Sequence, residues 1–299
     1  MAKLPQILFV TGKGGVGKTT VSSLLGMASA ARGLKTAIVE VNGCQSVCTL
    51  FDNQQASYQP IQIQPNLHLL SITPEESMRE FGLQQLKFKK IYKIVFENKY
   101  VKPLMRFAPG LQEASQLGKI YYMAEEENWD LIIVDAPATG HGLSLLESAK
   151  TMAELTKFGP MYNNSIKIEQ IISDPARCNI LLVGLAEELP VLESIELWQK
   201  FTAMRKAQTT VFIMNKWLQI PGNPDIWQRN KHKISDALNE ITEITDLYVA
   251  KTLAQQKYKS KLANKVPLPI IEIGPLQHSL KSTWTDHGER LLRSLEMDL

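Results

Sequence analysis

Short apolar runs alternate along the chain with longer amphipathic stretches. Ile7 to Val10 is the first run. It is followed by Thr20 to Arg32, where Val21, Leu24, Leu25 and Ala28 recur at helical spacing and Gly33 supplies a C-terminal stop. Lys35 to Val41 is apolar again. A strand, a helix and a second strand within about 40 residues form a βαβ unit, which crosses over right-handed and builds a parallel sheet with helices on both faces. The runs Leu67 to Ile72, Leu131 to Val134, Ile180 to Val183, Thr210 to Met214 and Leu268 to Ile273 continue the alternation. The pattern predicts an α/β fold, a doubly wound, mostly parallel sheet of about seven strands.

Two intervals exceed an ordinary crossover. Between Ile72 and Leu131 lie roughly 60 residues, mostly helix formers, with Pro74 and Glu75 near a helix start. Helical insertions are therefore expected at about 74–128 and again at about 143–175. In the first, Met78, Phe81, Phe88, Ile91, Val95 and Phe96 fall near helical spacing, and Lys87, Lys89, Lys90, Lys93, Lys99, Lys102 and Arg106 make it basic. Such a stretch can line a groove for a hydrophobic helical client or lie on an anionic membrane surface. Equally, it can be a layer whose apolar stripe packs on the sheet while its lysines face water. No repeat or Pro/Gly/Ser-rich linker divides the chain, so a single domain over 1–299 is expected.

Composition narrows the class without naming a partner. The 299 residues are 44% hydrophobic and 21% charged, ordinary for a soluble globular protein able to bury a sizeable core. A net charge of +3 is too mild to indicate a nucleic-acid binder, and no nucleic-acid partner is expected. Met1 leads through one lysine into a short apolar run without the features of a signal peptide, and no stretch of about 18 apolar residues occurs. A cytoplasmic location is the expectation. Cys44, Cys48 and Cys178 form neither an even disulfide framework nor a C-x-x-C pair.

The chemistry enters between the first run and the first helix. Gly12, Lys13, Gly14, Gly15, Val16, Gly17, Lys18 and Thr19 fit G-x-x-x-x-G-K-[ST], the phosphate-binding loop. Backbone N–H groups from Gly14 to Gly17 can converge on the phosphates of ATP or ADP. The helix start at Thr20 adds partial positive charge, Lys18 reaches the β/γ-phosphates, and Thr19 is placed to hold Mg²⁺. Asp135 ends the run Leu131 to Val134 and opens D-A-P-A-T-G-H. At a strand's carboxyl end it can hold Mg²⁺ directly or through water, and Gly140 can offer its N–H to a γ-phosphate; taken alone, an acidic turn is the plainer reading. Asn215 ends another strand, where its amide can read adenine or simply form a turn. Pro275 and Leu276 can pack the other side of the base.

With Lys13 inside the loop, K-G-G-x-G-K-T resembles the deviant Walker A motif of the MinD, ParA, nitrogenase-iron-protein and arsenite-pump ATPases. The resemblance implies that Lys13 crosses a dimer interface to the partner's nucleotide; a solvated loop lysine is the alternative. D-A-P-A-T-G-H is similar to the second switch of the arsenite-pump (ArsA) and tail-anchored-protein-targeting ATPases, and the chain resembles that family over most of its length. This implies an ATP phosphohydrolase with Lys13, Lys18, Asn42 and Asp135 at its catalytic positions. It also puts Asn215 at the adenine contact, and Pro275 and Leu276 in the adenine loop. The family's implied activity is that of an ATP-driven dimer handling either a metalloid or a hydrophobic client helix.

Two departures bear on function. Where the family has D-P-A-H, with an Asp that positions the attacking water, this chain has Glu40, Val41 and then Asn42. An amide can orient water but cannot take up its proton, so slow hydrolysis is expected unless a neighbour such as Glu40 substitutes. The surrounding segment instead resembles a bacterial subgroup of anion-transporting ATPases that includes pairs of non-identical subunits. One P-loop and no cysteine triad make arsenite transport unexpected. Two functions follow: a homo- or heterodimeric Mg-ATPase whose nucleotide state controls a helical client surface, or a weakly catalytic or non-catalytic subunit that regulates a partner ATPase. A ParA-like DNA-partitioning role is disfavoured by the mid-chain insertion and the T-G-H switch.

Overall fold

The computed structural model describes residues 4–42, 46–51, 55–85, 110–126, 128–204, 208–219, 224–233, 239–276 and 284–298. Among them, eight strands form one sheet: β1 (Ile7–Gly12), β2 (Thr36–Val41), β3 (Ile61–Gln64), β4 (Leu67–Ile72), β5 (Leu131–Asp135), β6 (Cys178–Leu185), β7 (Gln208–Asn215) and β8 (Ile270–Glu272). Their order is β3-β4-β2-β5-β1-β6-β7-β8, with every neighbouring pair parallel except β3 and β4. The doubly wound α/β sheet expected from the alternation is present, with one strand more than the seven apolar runs. The extra strand, β3, reads Ile-Gln-Ile-Gln and is alternately half-buried and exposed at the sheet's edge. An edge strand with one solvated face shows period-two alternation rather than a continuous apolar run, so a search for runs passes over it.

Among the described residues the α-helices are α1 (Lys18–Ala31), α2 (Pro74–Gln85), α3 (Leu111–Glu125), α4 (Thr139–Thr156), α5 (Pro160–Ser173), α6 (Glu188–Met204), α7 (Pro224–Asn230), α8 (Asn239–Ala263) and α9 (Trp284–Asp298). Strand alternation sends Ile7 and Phe9 to one face of the sheet and Leu8 and Val10 to the other. The first face packs against α3, α4, α5 and α6 through Leu117, Leu145, Ile168 and Phe201. The second packs against α1 and α9 through Val21, Leu24, Leu25, Leu291, Leu292 and Leu295. Because both faces are covered, β1 is buried at all six positions and so is β2. α9 lies so close along α1 that a Cβ on Gly288 would overlap the Leu24 carbonyl. At the end of α1, Arg32 pairs with Glu289 (2.7 Å) and Glu296 (2.6 Å) of α9.

Within the first insertion, α2 and α3 are described, and Lys87, Phe88, Lys89, Lys90, Ile91, Lys93, Val95, Phe96, Lys99, Lys102 and Arg106 lie outside the described residues. Met78 packs against the cluster of Leu111, Ala114 and Met152, and Phe81 is buried, so these two members of the apolar stripe are core. The second stretch consists of two helices, α4 and α5. Lys157 and Gly159 take left-handed φ values of 57° and 90°, and Pro160 then opens α5, a break that Gly-Pro marks in the sequence. No helix among the described residues is long and apolar enough to cross a membrane.

Candidate functional site

The P-loop joins β1 to α1, at the carboxyl edge of the parallel strands. Gly17 is the N-cap of α1 with φ 93° and ψ 30°, a conformation that L side chains avoid, and a Cβ there would overlap the Asn215 side-chain amide. Asn215, at the end of β7, donates through Nδ2 to the Val16 carbonyl (2.9 Å) and accepts the Lys216 N–H on Oδ1 (2.8 Å). Both ends of its amide are thus engaged by protein, bracing the loop from the neighbouring strand. Lys18 Nζ donates to the Lys13 carbonyl (2.9 Å), curling the loop around the ammonium. α1 has no side-chain cap and no acidic residue in its first turn. Its N-terminal N–H groups and dipole are therefore left for an anion. Thr20 is half-buried within that first turn.

Thr19 Oγ1 donates to Asp135 Oδ2 at 2.7 Å, and Ser22 Oγ lies 3.4 Å from Oδ1. The sheet register places Asp135 between Val10 of β1 and Glu40 of β2. Burial pushes the Asp135 carboxyl above its ordinary range, against the downward pull of the Thr19 hydrogen bond, the Lys18 ammonium and Ser22. A hydroxyl and a carboxylate oxygen together at the P-loop suit Mg²⁺, which takes oxygen ligands from one or two protein groups and fills its shell with phosphate and water. Among the described residues no group of three or more His, Cys, Asp or Glu is placed to hold a metal by itself.

After Asp135 the chain passes Ala138, whose Cβ is 3.9 Å from where a Cβ on Gly14 would stand, and enters α4 with Gly140 exposed in its first turn. Asn42 follows β2 with a left-handed φ of 67°. Its Oδ1 accepts from Gln116 Nε2 of α3 (3.1 Å), and the same nitrogen lies 3.3 Å from the Ile72 carbonyl at the end of β4. Glu40 is anchored elsewhere: Oε1 accepts the Val47 N–H at 2.7 Å, and Oε2 is buried without a partner among the described residues. Burial, together with the nearby Asp135 charge, outweighs the backbone hydrogen bonds and raises Glu40 to about 7.

Lys13 pairs with Glu193 of α6 at 2.6 Å. At the far side of the loop, Trp217 N–H bonds the Ile273 carbonyl (2.8 Å), which brings Pro275, exposed, and Leu276, half-buried, beside the segment that follows Asn215. The expected residues of the P-loop, Asp135 and Asn215 are therefore gathered at one edge. Ser22, Gln116 and Glu193 were not anticipated. Ser22 carried a signal, three residues after Thr19 on the same helical face; the other two reach the site from distant helices.

A model of the anion-transporting ATPase family matches residues 5–164, just over half the chain. The chain belongs to this family. The matched part of the family fold contains the P-loop, Asn42, Asp135 and Gly140, and ends before Asn215. ATPase BagA of Mycobacterium tuberculosis is 31% identical over 217 residues, which are 67% of this chain and 62% of that protein. ATPase ASNA1 homolog 1 of Paramecium tetraurelia is 27% identical over 257 residues, 85% of this chain and 71% of its own length. The ATPase ASNA1 homolog of Entamoeba dispar is 26% identical over 279 residues, 81% of this chain and 84% of its own. The chain thus spans 62% of the length of the mycobacterial family member.

Proposed function

We propose that the chain is a single-domain, Mg²⁺-dependent ATP phosphohydrolase that works as a homo- or heterodimer, its nucleotide state controlling a helical surface for a hydrophobic client or partner. The observation that carries this reading is the Thr19–Asp135 pair set against the uncapped start of α1 with Lys18 curled over it. On binding ATP, Lys18 exchanges the Lys13 carbonyl for β/γ-phosphate oxygens, and the loop N–H groups take the remaining ones. Thr19 and Asp135 would hold Mg²⁺, which would supply charge neutralisation at the phosphates. Gly140 stands where a γ-phosphate can be sensed by the start of α4, and α4 packs on α3 and α5, so phosphate contacts can be relayed into the helical layer. Lys13, by the resemblance, reaches the partner's nucleotide, and Asn215, Pro275 and Leu276 enclose the adenine.

The reading is tested by single-turnover ATP hydrolysis and nucleotide titration calorimetry on wild type and Lys18→Ala. Losing a charge-assisted contact to phosphate costs about 1.5–3 kcal/mol, so affinity is expected to fall at least tenfold. Unchanged affinity would overturn the site. Asn42 supports a second reading, a nucleotide-binding regulator of a partner ATPase, because no carboxylate stands at the end of β2. Binding without turnover, with turnover appearing only in a partner chain, would favour it.

A further inference from the structure

Asn42 and Glu113 share an open cleft of about 140 Å³, lined also by Val41, Gln116, Pro137 and His141. That is room for several waters at about 30 Å³ each. The cleft adjoins the phosphate loop, because Pro137 precedes the Ala138 that approaches Gly14. Its Asn42 wall is held still by the left-handed backbone and by the Gln116 hydrogen bond. Gln116 is buried at 1% exposure. Glu113, half-buried in the first turn of α3, precedes Gln116 by three residues and so shares its helical face. Glu113 thus adds a carboxylate-bearing residue to the cleft that Asn42 and Gln116 line. Asn42 can orient a water but cannot take its proton. Glu40 is tied to the Val47 N–H and does not line the cleft, and Asp135 is committed to Thr19 and Ser22. Glu113 is the one acidic residue among the described residues that line it.

We propose that Glu113 is the proton acceptor for the attacking water, supplying from α3 the carboxylate that the end of β2 lacks. The proposal rests on the ATPase reading. In the in-line step the water oxygen bonds to Pγ, and the bond from Pγ to the β–γ bridging oxygen breaks, its electron pair leaving with ADP. The water's proton passes to the Glu113 carboxylate and then to bulk water. His141, which enters the cleft from α4, is the competing acceptor.

The test is single-turnover hydrolysis by the full chain, with any partner subunit present, alongside the affinity of a fluorescent ADP analogue. Glu113→Gln is expected to slow hydrolysis by about 10²–10⁴-fold with ADP affinity within about twofold of wild type. Adding Asn42→Asp to Glu113→Gln is expected to restore most of the rate, a recovery that a merely structural Glu113 would not produce. Wild-type turnover with Glu113→Gln unimpaired, loss of rate and ADP affinity together without rescue, or His141→Asn alone producing the loss would each overturn the proposal. A wild type that binds ATP but never hydrolyses it would overturn the ATPase reading and this step with it.

Discussion

Glu40 shows how one buried carboxyl sets a pH dependence. It is 1% exposed, with one oxygen bonded to Val47 and the other without a hydrogen-bond partner among the described residues, and its pKa is raised from 4.5 to about 7. The folded chain therefore holds this proton more tightly than the unfolded chain. The stability it contributes is fully present below about pH 4.5 and is lost as pH rises through about 7. The difference corresponds to at most about 3 kcal/mol. Glu40→Gln keeps an oxygen for the Val47 N–H and cannot titrate. Urea denaturation of wild type is expected to weaken between pH 4.5 and 7 relative to Glu40→Gln; parallel curves would show that Glu40 is not the group responsible.

Among the elements, α9 matters to the site although it contributes no residue to it. It packs beside α1 on the same face of the sheet through Leu291, Leu292 and Leu295, and the absence of a side chain at Gly288 lets it approach the Leu24 carbonyl of the P-loop helix. A methyl there meets backbone, which cannot rotate aside, and a Cβ at this place would also stand 2.9 Å from the Ala28 Cβ. Gly288→Ala is expected to destabilise by about 1–3 kcal/mol, measured as a fall in the urea midpoint. Arg293→Ala, which removes an exposed ion pair to Glu289, is expected to change it by less than about 1 kcal/mol. Equal effects of the two substitutions would mean that the close packing is not what seats α9.

Over the whole molecule, the Lys13–Glu193 pair ties the phosphate loop to α6 within one chain. Both side chains are 38% exposed, so the pair is worth at most about 1 kcal/mol and can be given up when a phosphate is offered. The proposed dimer needs Lys13 free to reach across. Lys13→Ala is expected to abolish ATP-analogue-dependent association in analytical ultracentrifugation. Glu193→Gln, which only weakens the internal hold, is expected to preserve association or tighten it by up to about fivefold. Association that survives Lys13→Ala unchanged would remove the lysine from the interface.

What could be read along the chain was whatever depends on near neighbours. Seven of the strands, the P-loop helix and the phosphate loop itself follow from short-range periodicity and spacing, because a strand buried on both faces must be apolar throughout and a phosphate cradle needs glycines in series. Asp135 was legible for the same reason, as the residue that ends a buried strand. The hold on each of these residues was not. Lys13 meets Glu193 across 180 positions, Asn215 meets Val16 across 199, and Asn42 meets Gln116 across 74. Those contacts exist because the order β2-β5-β1-β6-β7 sets the strand ends side by side and the helices over them, an arrangement no local pattern encodes. Whether Glu40 or Glu113 lines the cleft beside Asn42 was likewise decided only by tertiary structure. On β2 the Glu40 carboxylate is turned to the Val47 N–H, and on α3 Glu113, one helical turn before Gln116, lines the cleft that Asn42 also lines.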